Sequence, residues 1–415
     1  MITLGFSLTA TERVLPKLAL DFTTASLDPR ITFTRALNTA TVTNSSGYIV
    51  GINADLPRFD YDPVTLACKG LLIEESRANA YTYSNTLNNT SVWNTARASI
   101  NANATTSPDG TNNGWFLKED STASSTHVLS AVRTVVIGTT YTISMYAKAG
   151  TRTYFSIGIY DNTTLNAWFN LSNGTLGTVN AGLTAAITPA GNGWYRCSIT
   201  RTAAATTIYE TFYLANADNS VSYSGDGTSG LYLYGGQHEI GAFATSYIPT
   251  TTTALTRNAD VASMTGTNFS DWFNATEGTF VASGYSVAST TATNPLIYAS
   301  DGTESNYIRI LANSAGTSTV VAVNVSQANF NLGAPTSVNS YVLAYKASSF
   351  CGAWNGATSS SSAGSTIPTV TQLQIGARAS GAAIMSGTIK RIYYYKQRLT
   401  DNECVSISVR SINGA

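Results

Sequence analysis

Charge is what this sequence has least of. Of 415 residues, 11% are Asp, Glu, Lys or Arg, with 23 acidic against 23 basic and a formal net charge of +0; an ordinary soluble chain carries about 25%. Lys and Arg do not cluster, so the electrostatic footprint of a nucleic-acid binder is missing. The two histidines, His127 and His238, are too few to build a zinc site or a Ser-His-Asp triad readily, and neither stands beside a nucleophile-elbow serine or cysteine. The four cysteines, Cys68, Cys197, Cys351 and Cys404, are too widely spaced for any zinc pattern, and their apolar or alternating neighbours read as buried free thiols. No run of about 18 apolar residues is present, so no membrane insertion is expected. The opening MITLGFSLTATERVLPKLAL has neither the charged n-region nor the unbroken apolar stretch of a secretion signal, so no signal peptide is expected.

What fills the gap is Ser, Thr, Asn, Gly and Tyr, over a hydrophobic share of 43% with 23 Tyr and 14 Phe. That is ample core material and the opposite of a disordered composition. Thr, Val, Tyr, Ile and Phe suit pleated, half-buried surfaces, whereas Asn and Gly suit turns. The composition is that of an all-β chain whose surface is coated with hydroxyls and amides.

Residues 1–80 are irregular: ITFTRALNTATV and GYIVGI are short strands broken by Pro29, Pro57 and Pro63, with too few periodic apolar residues for a core of their own. They are expected to form an extended arm or small subdomain leaning on something else. Over 81–250, strands recur at sandwich spacing: TYTISMYAKA, YFSIGIY, GWYRCSIT, IYETFYLAN and LYLYGGQHEIG, separated by SPDG, DNTT, LSNG and SGDG turns. A polar, Thr-rich stretch follows, taken as a linker over 251–265. Residues 266–415 form a second β block, from GTFVASGYSVA to GTIKRIYYYKQ. It ends in a helix candidate, LTDNECVSISVR, which Thr400 can cap with Glu403 at the third helical position.

Several of these segments look familiar. LDPRITFTRALNTATV, PRFDYDP, GLLIEESRANAYTYSN and GDGTSGLYLYGGQHEIGAFATSYIPTTTTALTRNADV resemble segments of bacteriophage virion proteins of the head spike, head fibre and tail fibre group. The region between, with Lys148 to Gly150 after a strand and NGWYRCS, is similar to jelly-roll carbohydrate-binding modules. The C-terminal block, with GTIKRIYYYKQ before RLTDNE, is similar to concanavalin A-like or laminin G-like sandwiches. The resemblance implies two tandem jelly-roll/concanavalin A-like β-sandwiches after an extended N-terminal attachment arm. It implies a virion location, with assembly in the host bacterial cytoplasm. The expected partners are portal, capsid or tail proteins reached through the arm, further copies of the chain (a trimer for preference), and host-surface glycans.

Three functions fit this reading: a projecting adhesin, a non-binding decoration or collar piece, and a polysaccharide depolymerase. A depolymerase needs two carboxylates facing one cleft, roughly 5–9.5 Å apart. Glu74 and Glu75 are adjacent on a strand-like run and should point to opposite faces, so with Arg77 they read as a structural clamp. No spaced acidic pair stands out, and the expectation is no catalysis. Sugar recognition uses flat aromatic faces with amides and carboxylates for hydroxyls. Tyr154 and Tyr160 lie opposite the core face of one strand, and Tyr209 and Tyr213 opposite that of another; if the strands are neighbours they form a platform, with Trp168 near it. The same tyrosines could instead pack against the arm or a second subunit. Gln237 and Glu239 alternate with His238 on the closing strand, as sugar-contacting groups or as ties to a neighbouring loop. Asp218 and Asp226, in Asp-rich loops, are the candidates for a structural calcium, although their spacing fits no EF-hand. No other cofactor is expected.

Overall fold

The computed structural model describes residues 15–287, 295–311, 317–332, 339–361, 363–379, 381 and 383–413. The chain is all-β, in two sandwiches. The first packs two six-stranded sheets. One sheet runs Thr184–Pro189, Trp194–Thr202, Thr140–Lys148, Gly230–Ile240, Gly114–Glu119, Ala98–Thr105; the other runs Thr175–Val179, Thr164–Asn170, Tyr154–Tyr160, Thr207–Ala215, Val128–Thr134, Asn94–Ala96. Alternation decides which side chains meet between them. Phe155, Ile157 and Ile159 point inward with Ile208, Phe212 and Leu214, against Ile143, Met145, Cys197 and Ile199 of the facing sheet.

The second sandwich has an eight-stranded and a seven-stranded sheet, and it corrects the N-terminal expectation. Four strands of the supposed arm are part of this sandwich, while Ala40–Thr43 and Ile49–Ile52 pair as a separate hairpin. Leu18–Asp21 and Cys68–Ile73 both pair with Gly387–Tyr395, Arg58–Tyr61 continues that sheet, and Thr32–Thr34 pairs with Val261–Thr265 at the edge of the other. Leu18, Leu20, Phe22, Phe33, Leu71 and Ile73 share one core with Phe280, Ile297, Leu343 and Ile392. The expected linker is also structured: Leu255–Arg257 pairs with Arg77–Asn79, and Val261–Thr265 with Gln372–Ile375. The first sandwich is therefore an insertion into the second. Short runs such as LALD and CKGLLI could not build a core locally, as the sequence indicated; what they lean on lies some hundreds of residues along the same chain.

Where the chain leaves and re-enters the second sandwich, a buried ionic cluster holds the two crossings together. The Glu74 N–H donates to Asp260 Oδ2 at 2.9 Å and the Asp260 N–H returns to Glu74 O at 3.0 Å. Arg58 bonds both carboxylates, reaching Glu74 at 2.6 Å, and Arg35 bonds Asp260 at 3.0 Å. Arg257 lies 3.5 Å from Glu74. Ser246 donates to Glu74 through N–H at 2.7 Å and through Oγ–H at 2.6 Å. Burial alone would raise the Glu74 carboxyl, but Arg257, Arg58 and Ser246 outweigh it and hold the group well below the usual carboxylate range.

At the far end, Asp401–Asn413 is the expected helix. The Thr400 N–H donates to Glu403 Oε2 at 2.7 Å while the Glu403 N–H donates to Thr400 Oγ at 3.3 Å, a reciprocal capping box. Cys404 on its inner face is buried with Cys351; Cys68 is only half-buried, and all four cysteines are free thiols.

Candidate carbohydrate-binding face

The first sandwich has one sheet face that the rest of the chain covers and one that it leaves open. The sheet containing Thr140–Lys148 and Gly230–Ile240 turns Tyr146, Trp194 and Tyr234 outward into a second small cluster with Tyr247 and Ile49. The opposite sheet leaves the end of its outer face that carries Tyr160 and Tyr209 open to solvent, while Ser156, Trp168, Val128 and Ala215 farther along the same face are buried.

Register sets the outer residues of that sheet in rows. Thr164, Tyr160, Tyr209 and Val132 stand side by side in the first, and Asn166, Gly158, Thr211 and Ser130 in the second. Trp168, Ser156, Tyr213 and Val128 form the third, and Asn170, Tyr154 and Ala215 the fourth. The tyrosine-bearing strands are thus direct neighbours. The Tyr160 and Tyr209 rings are 6.1 Å apart and tilted by 55°; they are 48% and 51% exposed, and Val132 beside them is 51% exposed. Tyr154 and Tyr213 are half-buried. The Tyr154 hydroxyl accepts from Asn170 Nδ2 at 3.2 Å, and burial pushes the Tyr213 hydroxyl up.

Below the tyrosine pair the face is polar and incompletely satisfied. A Cβ at Gly158 would stand 2.1 Å from Asn166 Oδ1 and 2.7 Å from Tyr213 Cε2, so the amide and the ring close over a position that only glycine leaves empty. Asn166 Oδ1, Ser156 Oγ and Trp168 Nε1, on adjacent positions of the second and third rows, are buried with no hydrogen-bond partner in the protein. Buried polar groups normally find partners; these three lie one and two rows along the strands from the exposed tyrosine pair, and Trp168, expected beside the platform, is buried at 3% exposure. Asp218 closes the flank, accepting from Thr178 N–H at 2.8 Å and Thr178 Oγ–H at 2.9 Å.

The other expected site residues are elsewhere. Gln237 and Glu239, expected as sugar contacts, lie in the opposite sheet and are buried. Gln237 accepts the Ile248 N–H at 2.7 Å and donates to Glu239 at 2.8 Å, while Glu239 accepts from Thr245 N–H at 2.9 Å and Oγ–H at 2.7 Å. They tie the closing strand to the loop after it, because a buried acceptor left unpaired would be costly. Glu74 and Glu75 part company as alternation requires: Glu74 joins the buried cluster, and Glu75 pairs with Arg77 at the surface at 2.5 Å. The Asp226 carboxylate is wrapped by its own loop, accepting from Thr228 and Ser229 N–H groups at 2.7 Å each. Among the described residues, no three His, Cys, Asp or Glu side chains converge as a metal ligand set.

One buried polar chain was missed. Tyr81 donates to one oxygen of Glu210 and His238 Nδ1 lies 2.5 Å from the other, all three inside the first core. The signal was available: in IYETFYLAN, Glu210 shares the inward parity of Ile208, Phe212 and Leu214, so it had to be buried and partnered. His127 is likewise buried, with Nδ1 2.7 Å from Arg97 O.

No protein-family model and no curated protein matches the chain. Among solved structures, a carbohydrate-binding module, CBM40, of the Ruminococcus gnavus IT-sialidase, bound to α2,3-sialyllactose, aligns with 32% of this chain and 84% of its own at 18% identity, TM-score 0.28. The mouse laminin α1 chain domains LG4-5 align with 66% of this chain and 86% of theirs at 8% identity, TM-score 0.23. The Trypanosoma rangeli sialidase aligns with 72% of this chain and 60% of its own at 10% identity, TM-score 0.28.

Proposed function

We propose that this chain is a non-catalytic, glycan-binding projection of a bacteriophage particle, a fibre or spike that touches host-surface saccharides through the outer face of its first sandwich. The observation that carries the binding role is the exposed Tyr160–Tyr209 pair at the open end of that face. Rings of that kind stack on the C–H face of a pyranose, and the hydroxyls of Thr164 and Thr211 in the same and next rows are accessible to its hydroxyls. The virion role rests on the resemblance of GLLIEESRANAYTYSN and GDGTSGLYLYGGQHEIGAFATSYIPTTTTALTRNADV to phage spike and fibre segments. Attachment to portal, capsid or tail then belongs to the second sandwich, to which residues 18–73 contribute four strands, and not to a detached arm. A trimer would raise weak single-site affinity by effective concentration.

A non-catalytic role is supported by the carboxylates. Glycosidic general acids have raised pKa values. Here every described carboxyl group whose pKa is displaced is displaced downward, Glu74, Asp109 and Glu119 among them.

The decoration reading has one observation in its favour. Val132, beside Tyr209, and Val136 and Ile137, just beyond the end of its strand, are 51–66% exposed, as at a subunit contact. Binding of intact protein and of a Tyr160→Ala/Tyr209→Ala variant to purified host polysaccharide separates the two. Binding lost in a folded variant supports the adhesin. No binding by either protein, with the variant shifting the oligomeric state, supports the decoration piece.

A further inference from the structure

The seven-stranded sheet of the second sandwich also has an outward face, and it carries a different chemistry. Along Tyr307–Leu311, Ile308 and Ile310 point into the core, so Tyr307 and Arg309 point out. With Thr319, Asn329 and Asn331 of the next two strands they line a groove of about 470 Å³, within the roughly 300–1,000 Å³ of small-molecule sites. Register places Gln374, Tyr298, Arg309, Thr319 and Asn329 in one row, a polar line across five strands.

Arg309 is the unusual member. Its guanidinium lies over the Tyr307 ring, 4.6 Å from the centroid, and Tyr307 stacks on Tyr298 at 5.1 Å, so the side chain is oriented by a cation–π contact. No carboxylate among the described residues pairs with it, and its Nε is buried without a hydrogen-bond acceptor. The one carboxylate on the groove's rim, Glu304, already accepts from the Tyr298 hydroxyl at 2.7 Å and from Arg378 at 2.5 Å. Thr319 donates to Asn329 Oδ1 at 3.0 Å, which fixes that amide with its NH₂ as the remaining donor.

The end of a guanidinium presents its two Nη–H groups in a fixed fork that matches the two oxygens of a carboxylate or sulfate, whereas a neutral hydroxyl satisfies one of them. The amides of Asn329 and Asn331 and the Thr319 hydroxyl surround that fork with groups suited to sugar hydroxyls. The Tyr298–Tyr307 stack supplies an apolar wall.

We infer that this groove is a second saccharide site, separate from the tyrosine face, which selects an acidic sugar through a two-pronged contact between Arg309 and its oxyanion. It shares with the proposed function only the ligand class; the residues and the module are others. Recognition is local, by one unpaired guanidinium, and so needs no basic surface on a chain of zero net charge.

The test is calorimetric or saturation-transfer titration of the full chain with glucuronic acid, glucose and glucose 6-sulfate. The proteins are wild type, Arg309→Gln, Arg309→Lys, Asn331→Ala and Tyr160→Ala/Tyr209→Ala. Glucuronic acid is expected to bind at least about tenfold more tightly than glucose, as a charge-assisted pair implies. Arg309→Gln should abolish that preference and Arg309→Lys, which cannot form the fork, should lose most of it. Asn331→Ala, at the exposed rim, should weaken the acid without affecting the melt. The tyrosine variant should keep the preference whole, so failure of the tyrosine-face reading is recorded separately. Tighter binding of the 6-sulfate than of the uronate, still dependent on Arg309, supports the site and names a sulfate ester as the oxyanion. Equal binding of glucuronic acid and glucose, unchanged acid binding in a folded Arg309→Gln, or no saturable binding of either charged sugar into the millimolar range overturns it.

Discussion

Gly158 has no side chain, and that absence shapes the candidate face. The strand would tolerate alanine in its backbone, since nothing there requires left-handed geometry, but the Cβ would meet Asn166 Oδ1 at 2.1 Å and Tyr213 Cε2 at 2.7 Å. Both are outward groups on the open side of the sheet, able to move without disturbing the core. Gly158→Ala is therefore expected to cost about 1–2 kcal/mol or less in stability while weakening glycan binding several-fold, as measured by titration beside a urea melt. Loss of fold instead of binding would show that Asn166 and Tyr213 serve packing. The alternation that sends Tyr160 out and Ile159 in was legible in YFSIGIY. That Gly158 sits between two leaning neighbours was not, because the neighbours belong to strands on either side of it.

The capping box at the C-terminal helix is an element whose sequence and structure coincide. LTDNE reads as Thr400 with Glu403 three residues on, and the two groups bond each other's N–H as that spacing allows. The helix covers Cys351 and turns its own Cys404 inward, both 0% exposed. Thr400→Ala should cost about 1 kcal/mol and loosen the first turn, and the thiols report it: labelling of Cys404 should speed up several-fold with little change in the far-UV spectrum. Unchanged labelling would place the helix's stability wholly in its packing. The strands of the N-terminal region were harder to place. ITFT was legible as a short strand and LALD was not singled out, because a short strand's partner is chosen by tertiary packing, and here Leu18–Asp21 pairs with residues 391–394.

For the whole molecule, the ionic cluster at the crossing makes stability depend on acid. The Glu74 carboxyl is held low despite burial, and so are those of Asp109 and Glu119. A carboxyl with a depressed folded pKa contributes stability that is complete above its unfolded value, about 4, and is lost as pH falls toward the folded value. The urea midpoint should be flat from pH 8 to about 5 and decline below about 4. Glu74→Gln should be less stable at neutral pH, because it leaves Arg58 and Arg257 short of a buried counter-charge, and its decline in acid should be shallower. A variant with the wild-type acid slope would move the dependence to the surface carboxylates.

By itself the sequence determined the fold class, the strand periodicity and the faces: pleat alternation is a local property of hydrophobic order, and a chain so poor in charge has few other ways to be read. It also marked PRFDYDPVTLACKGLLIEESRANAYTYSN as a charged joint, since two adjacent carboxylates on a strand cannot share a cleft. Tertiary structure alone decided that the supposed arm supplies four strands of a sandwich, that Glu74 answers to Arg58 and Arg257 more than to its sequence neighbour Arg77, and that Arg309 has no carboxylate partner among the described residues of its groove. These are contacts across tens to hundreds of residues, and their free energy comes from burial that no local window of sequence contains.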